Sequence, residues 1–363
     1  MKLMSSKIDE QSVIGILAAN KQELDDIVLK FLPSTHENSE ISNLYQMMRD
    51  YPSRGGKGLR GSLCLLWTEL FGGDRKDAVI TSAGLELFQN WILIHDDIED
   101  ESDLRRGFPA LHKKYGIELS INAGDALHGK MWGLLLKNQE LLGSNTTIRI
   151  LSEFNRMIDE TTEGQQMELA WTRHKKWEIT EPDYLLMVTK KAAWYTCITP
   201  ARLGLIISGL KEQRRDLDSE NRLLADVVEL GESLGISFQI VDDVLNLTAD
   251  ESKYGKEILG DIFEGKRSLV LIHLLSVSKE PEKSRILDIM SKPRQEKTRN
   301  EVDYVFNLMK ESGSIEYAKK LAKTHSNRAL AKFEEIISRE DFEHSEVYHI
   351  TRSLLNYMTS RDY

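Results

Sequence analysis

Apolar residues recur at spacings of three and four along nearly the whole chain, and few prolines interrupt the pattern. Only 7 prolines occur among 363 residues. A proline inside a helix removes a backbone hydrogen bond and clashes with the preceding turn, so their scarcity favours long helices. Val13, Leu17 and Leu24 begin the pattern on one helix face before Pro33. The pattern predicts an all-α chain, and because no repeat or linker-like stretch divides it, we expect one domain over residues 1–363.

The composition limits the classes of partner. The chain has 48 Lys and Arg residues against 58 Asp and Glu residues, a net charge of −10, which disfavours binding to nucleic acid or anionic lipid. No apolar run approaches the ~18 residues that span a bilayer, and the first residues lack the apolar core of a signal peptide. Cys64 and Cys197 are too few for a disulfide framework, so we expect both to be reduced and buried. These features predict a cytoplasmic protein without a transmembrane segment or a nucleic-acid partner.

An acidic cluster, DDIED, ends an apolar helix pattern. Asp96 and Asp100 are four residues apart and therefore share a helix face, with Asp97 beside them. Carboxylate oxygens suit hard cations such as Mg²⁺, and the arginines that follow, Arg105 and Arg106, suit phosphate oxygens. The alternative is a solvated acidic helix end, since a chain this rich in acids produces such clusters by chance. The nearby arginines favour a site for a metal-bound phosphate group.

A second acid pair, Asp242 and Asp243, ends another apolar helix pattern, with Asn246 four residues after the first acid. Either pair alone is weak evidence. Two such pairs, each at the end of an apolar helix, favour one shared explanation, which is an apolar cavity closed by metal-bound diphosphate.

Basic residues accompany the acid pairs. The sequence GGKGLR at 55–60 predicts a glycine-rich turn that opens a helix and presents N–H groups and cations to an anion. Lys190 and Lys191 lie within an otherwise apolar helix pattern, and the loop 256–266 contains further lysines. An ordinary helix start or a solvated face explains each feature alone, and explains Lys190 well, but it explains the whole set poorly.

Taken in order, these segments resemble the trans-isoprenyl diphosphate synthases, the polyprenyl synthetase family that includes farnesyl and geranylgeranyl diphosphate synthases. The resemblance covers about residues 50–275 and is highly specific. Its motifs are GGKGLR at 55–60, DDIED at 96–100, LRRG at 104–107, GQQME at 164–168, KAAWY at 191–195, FQIVDD at 238–243 and GKEILGDIFEGKRS at 255–268. The resemblance implies the isoprenoid synthase fold, an all-α helical bundle around a deep central cavity, usually as a homodimer.

The resemblance also implies a prenyltransferase that joins isopentenyl diphosphate to an allylic diphosphate with three Mg²⁺ ions per active site. The implied metal ligands are Asp96, Asp97, Asp100, Asp242 and Asp243. The residues implied to bind the allylic diphosphate are Arg105, Lys191, Gln239, Lys256 and Lys266, and those for isopentenyl diphosphate are Gly56, Lys57, Arg60, Gln89 and Arg106. The five acids, Arg105 and Lys191 form the implied catalytic set, and Gln165 and Phe238 are implied to line the cavity.

The chemistry suits these residues, because loss of diphosphate leaves an allylic cation and requires positive charge around the leaving group. The double bond of isopentenyl diphosphate then attacks the cation, and the departing diphosphate accepts the lost proton. No side-chain base is needed. His95, beside Asp96, is an alternative base, but a packed, hydrogen-bonded histidine is the simpler interpretation.

Three residues depart from the family pattern. Asn246 replaces the last acid of the second motif, Ala192 replaces a threonine after the lysine, and Gly61 replaces a proline after GGKGLR. An amide oxygen still ligates a metal or binds its water, but one negative charge is lost. We therefore expect weaker Mg²⁺ binding or slower turnover, not inactivity.

The resemblance places the end of the cavity along the helix before DDIED. Trp91 lies five residues before Asp96, about 7.5 Å along a helix axis, and the next residue, Ile92, is not aromatic. A single aromatic here resembles the archaeal-type geranylgeranyl enzymes, whereas paired aromatics resemble farnesyl enzymes. We expect a C20 product, with C15 as the nearest competitor and Trp91 or Phe88 as the cavity floor. The alternative is a tryptophan that only packs between helices.

Two other functions stay open at this point. A terpene cyclase shares the bundle and the acid motifs, but it has no second diphosphate to bind, so GGKGLR, Gln89 and Arg106 argue against it. A non-catalytic regulatory subunit of a prenyltransferase is consistent with Asn246 and Ala192. The complete first acid motif and the basic residues argue against that subunit.

Overall fold

The computed structural model describes residues 9–209, 217–249, 258–340, 342 and 345–360. Most of these residues lie in helices, which confirms the all-α prediction. In chain order the elements are α1 Glu10–Phe31, α2 Ser39–Ser53, α3 Leu59–Leu70, α4 Arg75–Glu99, β1 Leu104–Arg105, β2 Phe108–Pro109, α5 Leu111–Tyr115, α6 Ile117–Leu135, α7 Asn138–Arg173, α8 Glu181–Val188, a π-helical segment Thr189–Ile198, α9 Thr199–Ser208, α10 Leu217–Thr248, α11 Gly260–Glu264, α12 Leu269–Val277, α13 Glu282–Met290, a 3₁₀ turn Arg294–Glu296, α14 Arg299–Glu311, α15 Ser314–Glu340 and α16 Glu346–Thr359.

Side-chain caps stabilise the starts of several helices. Thr180 caps α8, because its hydroxyl accepts the N–H of Asp183 while the Asp183 carboxylate accepts the N–H of Thr180 at 2.9 Å. Pro182 lies in the first turn, where its missing N–H is not needed. Thr298 and Glu301 form the same reciprocal pair at the start of α14. Each pair satisfies backbone groups that a helix end leaves unpaired.

Strand structure within the described ranges is limited to one short hairpin. β1 pairs antiparallel with β2, with Leu104 opposite Pro109 and Arg105 opposite Phe108. The two turn residues, Arg106 and Gly107, have φ angles of 54° and 76°. Positive φ at both central residues is the mark of a type I′ turn, which matches the twist of a hairpin.

The described residues form two compact units. The first contains those within 1–157, 195–230 and 330–357. Its most buried helix, α3, is apolar on nearly every side and packs against α4 and α9. Gly204 permits the close approach of α9, since a Cβ at this position would lie 2.5 Å from Trp67 Cβ. The first unit therefore has its own core around α3.

The second unit contains the described residues within 158–194, 231–329 and 358–363. Its apolar core is formed by α8, α10 and the helices from α11 to α15. Ser237 on α10 donates a hydrogen bond to the backbone oxygen of Ala322 at 2.8 Å inside this unit. The single domain over residues 1–363 stays a prediction.

Two expectations from composition can be compared with the structure. Within the described parts of the chain, no helix combines the length and apolar character that crossing a membrane requires. Cys64 and Cys197 are free and buried, as predicted. Burial raises the pKa of each thiol to about 12, so both stay protonated at neutral pH.

Candidate active site

The first acid motif lies at the C-terminal end of α4. The N–H of Asp100, which caps this helix, donates to the backbone oxygen of Asp96 at 2.9 Å. The two residues are therefore one turn apart on the same face, and both are partly exposed. Asp97 points to a different face and is fully buried. The motif thus divides into an accessible pair and one buried acid.

Arg105 and Tyr51 bind the buried Asp97. Arg105 Nε donates to the two carboxylate oxygens at 2.9 and 3.1 Å, and its Nη2 also donates to Oδ1. Tyr51 donates its hydroxyl proton to Oδ2 and accepts the N–H of Leu111 at 3.0 Å. Burial and the Asp97 charge raise the pKa of Tyr51 above its usual range, so it stays a donor. Both oxygens of Asp97 are occupied, while Arg105 Nη2 lies 3.7 Å from Asp96 Oδ2.

The second arginine of the hairpin contacts the glycine-rich turn. Arg106 Nη1 donates to the backbone oxygen of Tyr51 at 2.8 Å. A Cβ on Gly56 would lie 3.0 Å from Arg106 Nη2, and the φ of 128° at Gly56 also favours glycine. Burial lowers the pKa of Arg106, and the positive charges of Arg105 and Arg60 lower it further. Such a concentration of cations favours a bound anion.

Lys57, Arg60 and Gln89 belong to the same unit. Lys57 Nζ lies 5.6 Å from the ring centroid of Tyr357. Arg60 Nη2 donates to Thr196 Oγ1 at 2.9 Å, but its Nε is buried without a hydrogen-bond partner. Gln89 Oε1 is also buried without a partner. Unpaired buried polar atoms are costly in a folded protein, so those of Arg60 and Gln89 favour a ligand at this place.

The departure at Gly61 has a local cause. The Gly61 N–H, in the first turn of α3, donates to Glu86 Oε1 at 3.0 Å. A Cβ at this position would lie 2.3 Å from Leu24 Cδ1. Proline has no N–H and adds ring atoms, so it would remove the hydrogen bond and collide with Leu24. The hydrogen bond to Glu86 and the contact with Leu24 therefore favour glycine over proline at this position.

Helix α1 contributes a residue that the sequence analysis passed over. Lys21 is buried and forms an ion pair with Asp25. Its side chain lies against the glycine-rich turn, since a Cβ on Gly58 would be 2.9 Å from Lys21 Cβ. Neither Lys21 nor Tyr51 stands in a local motif, because each acts on residues far along the chain. No signal in the single sequence distinguishes them.

In the second unit, the second acid motif repeats the division into accessible and buried acids. Asp243 is buried, and its carboxylate accepts hydrogen bonds from Tyr184 Oη and Gln239 Nε2, both at 2.7 Å. Burial raises the pKa of Asp243 despite these two donors. Asp242 is partly exposed. Gln239, predicted to bind diphosphate, therefore contacts a buried acid of the motif in this structure.

Lys190 and Lys191 lie in the π-helical segment, which the sequence analysis treated as ordinary helix. Lys190 Nζ pairs with Glu160 at 2.7 Å and with Glu163 at 2.6 Å. Lys191 Nζ pairs with Glu168 of the GQQME motif. Short π-helical insertions are frequent at functional sites. The two lysines have different acidic partners. This difference fits a solvated-face role for Lys190 and a substrate-binding role for Lys191.

Gly164 allows α7 to lie directly against this segment. A Cβ at Gly164 would lie 2.2 Å from the backbone nitrogen of Lys191. The motif residue next to it, Gln165, is partly exposed, and so is Phe238 on α10. The role of Gln165 and Phe238 as cavity lining stays a prediction. Ala192, one of the departures, is buried, and nothing in the structure explains the loss of the threonine.

The last motif surrounds Asp261 and Lys266. Lys266 Nζ lies 3.0 Å from Glu264 Oε2 and 3.9 Å from Asp261 Oδ1. Asn246 Oδ1 accepts the N–H of Asp261 at 3.1 Å, so this departure connects α10 to the start of α11. Lys256, predicted to bind the allylic diphosphate, lies outside the described residues.

The residues expected to limit product length are packed together in the first unit. Phe88 is fully buried and meets Trp91 edge-on, with centroids 5.4 Å apart. Ile92 is partly exposed. His95 is packed as expected, since a Cβ on Gly124 would lie 2.3 Å from its Nε2. His95 Nε2 has no hydrogen-bond partner and lies 3.6 Å from Asp125 Oδ1, so the hydrogen bond of His95 stays a prediction.

A metal fits these residues only with the help of other ligands. Among the described residues, no three His, Cys, Asp or Glu side chains are grouped closely enough to bind a metal ion by themselves. Mg²⁺, however, usually keeps several waters and binds one or two carboxylates plus substrate phosphates. Asp96 and Asp100 are partly exposed and present carboxylate oxygens on one face, and Asp97 and Asp243 are buried and accept hydrogen bonds from neighbouring side chains. The accessible acids therefore fit Mg²⁺ in the company of a phosphate-bearing ligand.

Fold and site together define a class of protein. It is an all-α protein in which acid pairs lie in the last two turns of α4 and α10, near arginines or lysines of their own units. These features are typical of helical enzymes that bind diphosphates through divalent cations.

Comparison with known proteins narrows the class to one family. A polyprenyl synthetase family model matches residues 41–309. The geranylgeranyl diphosphate synthase of Sulfolobus acidocaldarius is 33% identical over 88% of this chain and 90% of its own length. That of Methanosarcina mazei is 32% identical over 97% and 99%. The solved geranylgeranyl pyrophosphate synthetase of Pyrococcus horikoshii has a TM-score of 0.81 at 28% identity, covering 97% of this chain and 99% of that one. The chain belongs to the polyprenyl synthetase family, and the resemblance of its motifs is confirmed.

Proposed function

We propose that this protein is a short-chain prenyltransferase that condenses isopentenyl diphosphate with allylic diphosphates to form geranylgeranyl diphosphate. The main support is the partly exposed acid pair Asp96 and Asp100 at the end of α4. Arg105 lies next to Asp96, on a hairpin that also presents Arg106. An acidic face for cations beside guanidinium groups suits a diphosphate. The two relatives described above, each more than 30% identical, are named for the C20 product. Farnesyl diphosphate is the second candidate product.

The acids take two roles in this proposal. Asp96, Asp100 and Asp242 bind Mg²⁺, because they are accessible, whereas Asp97 and Asp243 orient neighbouring side chains through the hydrogen bonds they accept. Bound Mg²⁺ supplies positive charge that stabilises the leaving diphosphate. The number of three ions per active site is part of the proposal.

The basic residues bind the two substrates. For the allylic diphosphate they are Arg105, Lys191, Gln239, Lys256 and Lys266, and for isopentenyl diphosphate they are Gly56, Lys57, Arg60, Gln89 and Arg106. Lys191 pairs with Glu168 in this structure, so the substrate would take the place of that carboxylate. Lysines and arginines around the leaving group stabilise its charge as the C–O bond breaks. The departing diphosphate accepts the proton lost after condensation, and His95 has no assigned role.

Trp91 is proposed as the floor that stops chain growth at C20. Trp91 is only 8% exposed and lies about one turn of α4 closer to Asp96 than the fully buried Phe88. Trp91→Ala would remove the indole and is expected to lengthen the products. An unchanged distribution of chain lengths would exclude Trp91 from this role and leave it as a packing residue.

We also propose that the enzyme is a homodimer and cytoplasmic. Exposed apolar side chains occur on α6, at the start of α7 and between the two helices, and they are Ile117, Leu119, Ile121, Leu136, Leu141 and Ile148. Large exposed apolar patches mark interaction surfaces. A second copy of the chain is the partner that the family resemblance implies.

One experiment separates this proposal from its rivals. Purified protein is incubated with Mg²⁺, isopentenyl diphosphate and each of the C5, C10 and C15 allylic primers, and the products are identified by chain length. Elongation to C20 supports the proposal, and a C15 end product supports farnesyl diphosphate. Cyclic hydrocarbon formed without isopentenyl diphosphate would indicate a cyclase. Activity only after addition of a partner protein would indicate a regulatory subunit.

A further inference from the structure

A buried lysine contacts the turn that carries Lys266. Lys297, directly after the 3₁₀ turn, is only 6% exposed, and its Nζ donates to the backbone oxygen of Phe263 at 2.7 Å. Phe263 lies near the end of α11, and the chain then turns through residues 264–267, here called the α11 turn. A Cβ on Gly265 would lie 3.3 Å from Lys297 Nζ. Lys297 therefore lies against both the end of α11 and the glycine that precedes Lys266.

Arg267 binds the other end of the α11 turn. Its Nη1 donates to the backbone oxygen of Gly265, and its Nε donates to the backbone oxygen of Lys176 at 3.2 Å. The guanidinium also lies over the ring of Trp177, with Cζ 3.9 Å from the ring centroid. Such a cation–π contact adds to the hydrogen bonds. The turn is therefore bound on both sides, by Lys297 where α11 ends and by Arg267 where the turn ends.

The burial of Lys297 has a cost that packing alone does not explain. Burial lowers the pKa of its ammonium to about 8. The positive charges of Arg267 and Arg294 act in the same direction, and Glu264 opposes them. An apolar residue would fill the same space without the desolvation of a charge. The ammonium still predominates at neutral pH, so its hydrogen bond to the backbone of Phe263 is charge-assisted, and this bond is what an apolar residue could not provide.

We propose that Lys297 is a positioning residue for diphosphate binding, because it holds the α11 turn in the conformation that presents Lys266 to the allylic diphosphate. The inference rests on the proposed function, in which Lys266 binds that diphosphate. Lys266 Nζ lies 3.0 Å from Glu264 Oε2 and 3.9 Å from Asp261 Oδ1, so its ammonium is directed back over α11. A helix of five residues has little stability of its own. Loss of Lys297 would release the end of this helix, and Lys266 would move with it.

The test compares Lys297→Met, which removes the donor but keeps an unbranched side chain, with Lys292→Met. Lys292 is the matched control, because it lies in the same connection between α13 and α14 but pairs with Glu301. Lys297→Gln keeps a neutral donor, and the double variant Lys297→Met with Lys266→Met tests whether Lys297 acts through Lys266. The KM values for a C15 primer and for isopentenyl diphosphate are measured for each variant and for Lys266→Met. Calorimetry measures the Kd of inorganic diphosphate with Mg²⁺, and thermal unfolding measures stability.

We expect Lys297→Met to raise both the KM for the primer and the Kd of inorganic diphosphate about fivefold or more, because a displaced Lys266 loses a hydrogen bond to a charged group. The KM for isopentenyl diphosphate should stay unchanged, since its proposed binding residues lie in the first unit. Lys297→Gln should have a smaller effect, and Lys292→Met none. The double variant should match Lys266→Met.

Unchanged values for both the primer and inorganic diphosphate in Lys297→Met would overturn the inference. So would a similar rise from Lys292→Met, an equal rise in the two KM values, or a double variant that binds diphosphate more weakly than Lys266→Met. A wild-type chain that elongates no primer would instead refute the proposed function. The calorimetric comparison of Lys297→Met with the wild type would then still decide whether Lys297 positions a diphosphate-binding lysine.

Discussion

Replacement of Tyr51 by phenylalanine tests whether one buried hydroxyl connects the first acid motif to the segment after the arginine hairpin. The variant removes a hydrogen bond to an ionised carboxylate, worth about 1.5–3 kcal/mol net. It also leaves the N–H of the buried Leu111 without its acceptor, which costs about 1–3 kcal/mol. Arg105 still neutralises Asp97, so no unpaired charge is created. We expect the free energy of unfolding to fall by about 3 kcal/mol.

The measurement is urea unfolding, followed by circular dichroism and by tryptophan fluorescence, since coincident transitions are needed before a free energy is extracted. Tyr45→Phe is the matched control, because Tyr45 lies on the same helix and contacts His36 through its ring. Enzyme activity is assayed in parallel. The KM for the allylic primer is expected to rise, because Asp97, which binds Arg105, loses the hydrogen bond from Tyr51 that holds it in place. Equal stability of Tyr51→Phe and Tyr45→Phe would refute the reasoning.

Three further predictions follow from individual contacts. Asn246→Asp keeps the acceptor for the Asp261 N–H and adds a negative charge, so it should lower the Mg²⁺ concentration that gives half-maximal rate, or raise the maximal rate. No change in either quantity would contradict the idea that the missing carboxylate weakens Mg²⁺ binding. Lys191→Met should reduce kcat at least tenfold, whereas Lys190→Met, whose partners are Glu160 and Glu163, should change it less than twofold; similar effects of the two would contradict the assignment. Gly61→Pro should destabilise the protein by about 1.5–3 kcal/mol in urea unfolding, because it removes the hydrogen bond to Glu86, and Gly61→Ala should reveal the effect of the contact with Leu24 alone; a proline variant as stable as the wild type would contradict the role of the hydrogen bond.

Much of the fold follows from local patterns in the sequence. Apolar spacing and scarce prolines predict helices along nearly the whole chain, and most of the described residues are helical. The π-helical segment Thr189–Ile198 could not be predicted in this way, because its apolar residues suit an α-helix equally well. Its position depends on packing, since Gly164 brings α7 against the Lys191 backbone. Periodicity predicts that a helix exists, whereas tertiary contacts decide its type.

Local sequence patterns also predict the candidate site only in part. Spacing alone places Asp96 and Asp100 on one face, but it assigns Asp97 the same role as its neighbours. Only the structure shows that Asp97 is buried and bound by Tyr51, a residue from another helix. The contacts of Gly61 with Glu86 and Leu24 are likewise visible only in the structure. Contacts between distant segments leave no trace in one sequence.

The contact of Lys21 with Gly58 joins a residue outside the segment matched by the family model to a residue inside it. The family model begins at residue 41, yet Lys21 lies on α1, which precedes that point. The glycine-rich turn inside the matched segment is nevertheless shaped by this earlier helix, because the Lys21 side chain occupies the space that a Cβ at Gly58 would need. The segment that the family model matches therefore leaves out a helix that shapes the glycine-rich turn. A chain shortened to residues 41–309 would lose one wall of its glycine-rich turn.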